Sequence, residues 1–563
     1  MLIGQILLNA GKVTGAELEE ALNRQRNGDG GGHRIGEILR RAGVISESDL
    51  LEALALQYGL DFLDSVPDDA LDPELVEELP VEWARAHRVL PIRLLKGVRV
   101  VVDDPTRIEV LQDLALLLRE EPVPILAPRD QIARAIERCY VRRNASASEF
   151  LDRMEDGEGE EGVIVVASSD DLLRSADQAP VTQLVNLILL EAVKGRASDI
   201  HIEPFEDHLH VRYRVDGVLY DQATPPKHLE AALVSRLKVM GRLDIAEKRL
   251  PQDGMARVRV GDQEIDVRVS TIPVAQGERV VLRLLSRESA LLPLRALGMP
   301  EAINRIASTL LHEPNGILLV TGPTGSGKTT TLYAALNELD TRGRNILTIE
   351  DPVEYQIPGI GQMQVKPKIG LTFANGLRHI LRQDPDVIMV GEIRDLETAE
   401  IVVRASMTGH LVFSTLHTND AVSAVLRMVD MGIPPYLLAA AIRASLAQRL
   451  VRRLCPACRR EVKVTGAMVE GMGPELKGLE GESAWEAGGC AECLGGYLGR
   501  TGIYELMTVS PTIREAIRTG ASTDEIRRQA VAGGMSTLLF DGAAKVRRGE
   551  TSIAELRQAA GHL

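Results

Sequence analysis

The 563-residue sequence is 45% hydrophobic and 26% charged, a composition that is typical of a soluble globular protein and excludes a fully disordered chain. Its 65 basic and 80 acidic residues give a net charge of -15, which disfavours a general nucleic-acid binder. At roughly 150 residues per domain, this length predicts three to five domains.

An internal repeat predicts paired helices at the start of the chain. The segment Ile3–Leu7 recurs as Ile35–Leu39, and each copy is followed at equal offsets by apolar residues with helical spacing. Thr14 and Ser46, each with an acidic residue three positions later, fit helix N-caps. We therefore expect a duplicated pair of short helical units.

Residues 1–140 are predicted to form a first domain. After the repeat, this domain is predicted to mix strands and helices, with a strand at Arg99–Val102 and an amphipathic helix at Asp130–Tyr140. Residues 141–178 follow, and their acidic, glycine-rich run Glu155–Gly162 has no apolar side chains to bury. We expect a flexible acidic linker there.

Two further domains are indicated by a change in hydrophobic period. Residues 179–290 open with a helical pattern and continue in alternating strands, among them His201–Glu203 and His210–Arg214, with Asp216–Gly217 as a turn. This pattern predicts an α+β domain with an antiparallel sheet. In residues 291–450, short apolar strands alternate with helical segments, which is typical of an α/β domain with a parallel sheet.

The segment that begins at Gly322 matches the phosphate-binding pattern G-x-x-x-x-G-K-[ST] in full, between a predicted strand at Ile317–Val320 and a predicted helix at Thr330–Leu339. Its glycines let backbone N–H groups converge on a phosphate, and the helix N-terminus adds positive potential. We expect Lys328 to reach the β- and γ-phosphates of ATP and Thr329 to ligate Mg²⁺. The predicted nucleotide-binding residues are Gly322, Pro323, Thr324, Gly325, Ser326, Gly327, Lys328, Thr329 and Thr330.

A P-loop ATPase also needs carboxylates at the ends of neighbouring strands. The predicted strand Ile346–Ile349 runs directly into acidic residues. The predicted strand Val387–Val390 is followed by Gly391, where an Asp is usual, and then by an acidic residue. A third predicted strand, Leu411–Thr415, has a histidine before it and another after it. Taken singly, each carboxylate fits a helix cap and each histidine fits ordinary packing, but one edge of a parallel sheet collects ligand-binding groups. The candidates at this edge are Glu350, Glu354, Glu392, His410 and His417.

Four of the five cysteines form two Cys-x-x-Cys pairs within residues 451–500, namely Cys455, Cys458, Cys490 and Cys493. Four thiolates suit tetrahedral Zn²⁺ and leave no open position, so we expect a structural zinc module. A redox pair or idle cysteines are the alternatives. Residues 501–563 are predicted to form a helical C-terminal region.

Taken together, these segments resemble the secretion ATPase superfamily, the hexameric motors of type II secretion and type IV pilus assembly. The motifs that carry the resemblance are Ala197–Pro204, Leu250–Gly254, the P-loop, Ile349–Tyr355, Arg382–Asp395 and Thr408–Asn419. The resemblance implies an α/β fold class: a RecA-like P-loop domain, preceded by a PAS-like α+β domain and a small helical N-terminal domain, and followed by the zinc module and the helical region. Gly391-Glu392 is this family's own form of the motif.

The resemblance also implies roles for the acidic residues and histidine. Glu354 would be the general base, with Glu350 as the alternative, and Glu392 would organise Mg²⁺ through water. His417 would lie near the γ-phosphate. The implied cofactors are ATP, Mg²⁺ and Zn²⁺.

Arginines of the preceding domain would neutralise the leaving phosphates. This role falls to Arg268, with Arg257 and Arg283 as further candidates. Met255 stands where the family often has an arginine, so one such contact is missing or comes from a neighbour. Residues 287–298 would be the hinge between the two domains.

The N-terminal repeat resembles the cyclic-di-GMP-binding module of many relatives, which has an arginine two residues before each repeat glycine. Arg34 fits this pattern in the second copy, whereas Leu2 takes the place in the first. A plain docking bundle is the alternative, because the apolar stripe would serve core packing equally well.

The implied function is that of a hexameric ATPase that powers type II secretion, with type IV pilus assembly as the alternative. Its partners would be inner-membrane platform and cytoplasmic-face proteins of the machine. A nucleic-acid translocase is disfavoured by the acidic charge and by an aromatic content of only 3%, and a non-hydrolysing regulator by the intact Lys328, Glu354 and Glu392.

The sequence has no run of about 18 apolar residues, and Met1–Gln5 lacks the features of a secretory leader. We expect a cytoplasmic protein that meets the inner membrane only through its partners.

Overall fold

The computed structural model divides the chain into two compact units. The first comprises Met1–Val215 and Leu219–Leu284, and the second comprises Asp216–Val218 and Leu285–Leu563. The described residues are 2–26, 34–77, 79–94, 97–119, 121–143, 147–148, 151, 170–171, 180–260, 263–286 and 292–560. No helix within these ranges has the length and apolar character needed to cross a membrane.

The first unit begins with four helices in two pairs, as the repeat predicts. Their bounds are α1 Ile3–Asn9, α2 Gly15–Arg26, α3 Ile35–Arg41 and α4 Glu47–Tyr58. Both predicted caps form, because the Thr14 hydroxyl accepts the Glu17 N–H at 3.4 Å and the Ser46 hydroxyl accepts the Asp49 N–H at 3.1 Å. The equivalent residues Leu7 and Leu39 are buried in the core of this bundle.

A four-stranded mixed sheet in the order β1-β4-β3-β2 follows in the same unit. The predicted strand at Arg99–Val102 lies within β3 and the predicted helix at Asp130–Tyr140 lies within α7. The bounds are β1 Asp61–Phe62, α5 Val81–His87, β2 Val89–Leu94, β3 Gly97–Val102, α6 Ile108–Leu118, β4 Val123–Leu126 and α7 Arg129–Arg143. The predicted linker over 141–178 falls almost wholly outside the described residues.

The rest of the first unit is α+β, as predicted. Its seven strands lie in the order β5-β9-β10-β11-β6-β7-β8, and Asp216 and Gly217 make the predicted turn with φ of 50° and 91°. β7 alternates buried and half-buried residues, so one face of the sheet packs on the core. The bounds are β5 Asp170–Asp171, α8 Pro180–Lys194, β6 Asp199–Pro204, β7 Leu209–Val215, β8 Val218–Ala223, α9 Glu230–Met240, β9 Gln252–Val260, β10 Gln263–Val274 and β11 Gly277–Ser286.

The second unit is built on a seven-stranded sheet in the order β14-β13-β15-β16-β12-β17-β20, parallel up to β17. Because parallel strands end at one edge, the segments that follow β12, β13, β15 and β16 meet there. The bounds are α10 Glu301–Leu310, β12 Gly316–Thr321, α11 Lys328–Asn337, β13 Ile346–Glu350, β14 Gly361–Gln364, α12 Phe373–Ile380, β15 Val387–Val390, α13 Leu396–Met407, β16 Leu411–Leu416, α14 Ala421–Asp430, α15 Pro435–Ala441 and β17 Ile442–Leu454.

The C-terminal part differs from the prediction of a helical region over 501–563. The last strand, β20 (Tyr497–Thr508), crosses the predicted boundary at residue 500 and pairs antiparallel with β17. Its run Ile503–Met507 is buried on both faces, so the polar alternation that marks a strand is missing from the sequence. The remaining elements are β18 Arg460–Lys463, α16 Gly466–Val469, α17 Pro474–Lys477, β19 Ser483–Glu486, α18 Pro511–Arg518, α19 Thr523–Ala532, α20 Leu538–Arg547 and α21 Ile553–Ala560.

Candidate active site

The P-loop connects the fully buried strand β12 to helix α11, as predicted. Gly322, at the end of β12, has φ of 153°, and a Cβ there would lie 2.5 Å from the Gln448 carbonyl oxygen and from the Ser326 hydroxyl. No other residue fits this position without a shift of its neighbours. The loop therefore passes close to β17 and turns its backbone toward the N-terminus of α11.

Lys328 folds back over the loop. Its ammonium donates to the carbonyl oxygens of Gly322 at 2.8 Å and Pro323 at 3.0 Å. Burial lowers the pKa of Lys328 to about 8, with nearby Arg449 adding to the effect and Glu392 opposing it. Thr329, directly after it, is exposed, so its hydroxyl is open to a metal ion.

Glu392 and His417 lie together at the carboxyl edge of the sheet. His417 Nε2 is 3.5 Å from a Glu392 carboxylate oxygen, and the other oxygen of Glu392 accepts from the Arg394 guanidinium. Burial and the charge of Lys328 lower the pKa of His417, while Glu392 raises it. The structure thus brings Lys328, Glu392 and His417 within electrostatic reach of one another.

Glu350 is occupied by hydrogen bonds within the sheet. Its buried carboxylate accepts from the hydroxyls of Tyr333 and Thr348, the latter at 2.6 Å, and from the Gln362 amide at 3.1 Å. Glu354 is half-buried four residues farther on. Which of the two glutamates acts as the general base stays a prediction.

His410 does not join this edge, so that prediction is wrong. It precedes β16, whereas His417 follows it, so the two histidines lie at opposite ends of the strand. His410 Nδ1 is 2.8 Å from the Ala405 carbonyl oxygen, which gives it a packing role.

Gly391 stands where a P-loop enzyme usually has an aspartate. A Cβ at Gly391 would meet the Ile349 carbonyl oxygen at 3.3 Å and the Glu350 Cα at 3.4 Å. A side chain there would be tightly packed against the end of β13. The acidic residue that follows β15 is the next one, Glu392.

The arginines predicted to reach the nucleotide belong to the first unit and are ion-paired within it. Arg268 lies 3.6 Å from Asp253, Arg257 pairs with Asp266 at 3.0 Å and Arg283 pairs with Asp199 at 2.9 Å. Met255, in place of an arginine, is half-exposed at 52%. A catalytic role for these arginines stays a prediction.

Three polar residues next to the P-loop were missed by the sequence reasoning. Thr321, Gln448 and Arg449 are buried beside the loop. The available signal was the polar pair Gln448-Arg449 between the apolar residues Leu446-Ala447 and Leu450-Val451 of β17, because central strands rarely bury such groups without a partner.

The four predicted cysteines cluster, with all four sulfur atoms within 4.8 Å of one another. The Sγ–Sγ distances are 3.9 Å for Cys455–Cys490 and 3.6 Å for both Cys458–Cys493 and Cys490–Cys493. Four thiolates around Zn²⁺ at about 2.3 Å would stand about 3.8 Å apart, whereas a disulfide needs about 2.05 Å. The geometry fits a tetrahedral zinc ion, and the Gly489 N–H, 3.1 Å from Cys458 Sγ, would support the thiolate charge.

Comparison with known proteins places this geometry in a family. The family model described as "Type II/IV secretion system protein" matches residues 174–558, and that described as "MshEN domain" matches residues 58–146. The chain is 49% identical over 491 residues to the type II secretion system protein E of Dickeya dadantii, covering 86% of this chain and 97% of that protein. It is 42% identical over 560 residues to the type IV pilus assembly ATPase PilB of Myxococcus xanthus, covering 98% of each.

The X-ray structure of the Yersinia pseudotuberculosis ATPase DotB supports the fold. It aligns with a TM-score of 0.53 and 21% identity over 72% of this chain and 100% of that chain. The predicted α/β fold class is thereby confirmed. With a matching family model over residues 174–558 and relatives aligned over nearly their full length, the chain belongs to the type II/IV secretion system protein family.

Proposed function

We propose that this chain is a cytoplasmic ATPase that hydrolyses ATP to power a type II secretion system. The observation that carries the proposal is the convergence of Lys328, Glu392 and His417 beside a complete P-loop. The 49% identity to a type II secretion system protein E supports the choice of machine.

In this proposal, the residues from Gly322 to Thr330 hold the triphosphate. Backbone N–H groups and the N-terminus of α11 bind the phosphates, and Lys328 neutralises the β- and γ-phosphate charge. Thr329, with Glu392 acting through water, would hold Mg²⁺, which supplies charge neutralisation at the transferred phosphoryl group. Glu354 orients and deprotonates the attacking water, while His417 lies near the γ-phosphate.

Hydrolysis would be coupled to movement between the two units. Arg268, assisted by Arg257 and Arg283, would contact the nucleotide during this movement. The predicted hinge, residues 287–298, lies partly outside the described residues. Within a homo-hexamer this cycle would deliver a stroke to an inner-membrane platform protein. The cysteine module would hold one structural Zn²⁺ per chain.

The test measures protein secretion by a bacterial strain that lacks the gene for this chain. We expect the wild-type chain to restore export of the secreted proteins, and Lys328→Ala to be inactive although it accumulates to the same level. Restoration of export by Lys328→Ala would contradict the proposal.

Type IV pilus assembly is the second candidate, favoured by the PilB alignment that covers 98% of both chains. The two functions are separated by the phenotype of the same strain. If the strain that lacks the gene lost its pili but exported proteins normally, the proposed function would be pilus extension instead of type II secretion.

The first unit carries a separate proposal, that its repeat binds cyclic-di-GMP through Arg34. Its support is that Arg34 is exposed at the N-cap of α3, while the MshEN domain model matches the residues after the repeat, 58–146. Calorimetry should show heat of binding that Arg34→Ala removes. No heat with either protein would leave the repeat as a docking bundle.

A further inference from the structure

The chain that follows β16 is fixed on both sides of His417. On one side stands Thr321, the residue directly before the P-loop, which is fully buried. Its hydroxyl oxygen accepts the Thr418 N–H at 3.0 Å. It also lies 3.1 Å from the Leu416 carbonyl oxygen and 2.7 Å from the Thr418 hydroxyl, either of which can accept its proton. One hydroxyl thus binds the backbone residues immediately before and after His417.

On the other side stands Arg449 of β17. Its terminal nitrogen donates to both the carbonyl oxygen and the side-chain oxygen of Asn419, each at 3.1 Å. Arg449 as a whole residue is 4% exposed, and its Nε–H has no partner among the described residues. Burying a charged guanidinium with one unused donor costs free energy. The hydrogen bonds that Arg449 makes to Asn419 must offset part of that cost.

The imidazole of His417 is held much less firmly than its backbone. Its side chain is 49% exposed, and its ion-pair partner is Glu392 at 3.5 Å. The position of the ring relative to Lys328 and Glu392 is therefore set mainly by residues 416–419. Asp420 continues the fixed segment, because it caps α14 through the Ser423 N–H at 2.8 Å.

We propose that Thr321 and Arg449 are positioning residues that hold His417 against the γ-phosphate by clamping the backbone on either side of it. The proposal rests on the ATP hydrolysis proposed above. Because Thr321 ends the strand that leads into Gly322, the clamp also ties the histidine to the P-loop itself. Neither residue is assigned contact with the nucleotide.

Kinetics of Thr321→Val and Thr321→Ser provide the first test. Valine keeps the shape and removes the hydroxyl, so kcat should fall about tenfold while the affinity for Mg-ADP stays within about twofold. Serine restores the hydroxyl and should restore kcat. Arg449→Lys keeps the charge but lacks the planar fork, and should resemble Thr321→Val.

A matched control is Thr398→Val in α13, which removes a buried hydroxyl that has no hydrogen-bond partner among the described residues. It should leave kcat unchanged. In a His417→Ala background, Thr321→Val should cause no further loss, because both changes act through the same group. A further tenfold loss in that background would overturn the proposal.

A second readout does not depend on hydrolysis. The Thr418 N–H, which donates to the Thr321 hydroxyl at 3.0 Å, should exchange with solvent deuterium faster in Thr321→Val than in the wild type. In Thr398→Val its exchange rate should not change. Unchanged exchange at Thr418 in Thr321→Val would overturn the clamp, whereas absence of ATP turnover in the wild type would overturn only the proposed function.

Discussion

In the proposed function, Lys328 is the residue whose ionisation most directly controls nucleotide binding. Its pKa is lowered to about 8 mainly by burial, so the ammonium is charged at neutral pH and loses its proton as pH rises through that value. A bound triphosphate favours the charged form, and binding above the pKa must therefore take up a proton.

We therefore expect ATP affinity to be about tenfold weaker at about pH 9 than at about pH 7. Titration with a fluorescent ATP analogue at both pH values measures this. Lys328→Met is the control, since its weak binding should be nearly independent of pH over the same interval. Equal wild-type affinities at the two pH values would show that Lys328 does not titrate in this range.

Glu350 and Glu354 should respond differently to removal of charge. Glu350→Gln places an amide opposite three donors, from Tyr333, Thr348 and Gln362, and should cost about 1–3 kcal/mol of unfolding free energy. Glu354→Gln should retain stability and nucleotide affinity but lower kcat by about 100-fold or more. Denaturant titration of both variants measures the change in unfolding free energy, and steady-state kinetics measures the change in kcat. A Glu350→Gln protein with full stability and no turnover would make Glu350 the base.

At the scale of elements, strand order explains why part of the site could be predicted. Lys328, Glu392 and His417 each follow a predicted parallel strand, and such strand ends meet at one edge whatever their order. His410 was assigned to the same edge because both histidines adjoin β16, although only the residue after the strand can lie there. The direction of the strand determines which edge of the sheet a flanking residue reaches, and closeness to the strand in sequence does not.

The clamp could not be predicted, because it depends on which strands are neighbours. Arg449 reaches Asn419 only because β12 lies between β16 and β17 in the sheet. The sequence has no local signal for that order. Likewise, the sequence predicts a helical region from residue 501, where the structure has part of β20, because a strand buried on both faces has the same apolar run as a buried helix.

The cysteine module should be a zinc-dependent element of the C-terminal part. Arg459 follows Cys458, stacks over Trp485 at 4.6 Å and donates to the Gly549 carbonyl oxygen, which couples the module to the end of α20. Removal of Zn²⁺ with a chelator should lower the thermal midpoint by roughly 5 °C or more. In a Trp83→Phe protein, the emission of Trp485 should change at the same time.

Metal analysis provides the control for this prediction. We expect one zinc per chain in the wild type, none in Cys455→Ser, and an unchanged content in Cys139→Ala, because Cys139 is a buried cysteine of the first unit. A wild-type protein without zinc, with the four cysteines reduced, would contradict the module.

At the scale of the whole molecule, the two units have different proposed tasks. The second unit carries the P-loop, the acidic residues and the histidine on one sheet, and the first unit carries the arginines proposed to close on the nucleotide. Such a division suits a motor, because a contact made only with the triphosphate changes when the γ-phosphate leaves.

The most direct measurement is phosphate release by the purified full-length protein with ATP and Mg²⁺, in the presence of its platform partner. We predict steady release by the wild type, loss of release in Lys328→Ala through loss of nucleotide binding, and loss in Glu392→Gln with binding retained. Release by the wild type that persists at the same rate in Lys328→Ala, or no release by the wild type at all, would contradict the account.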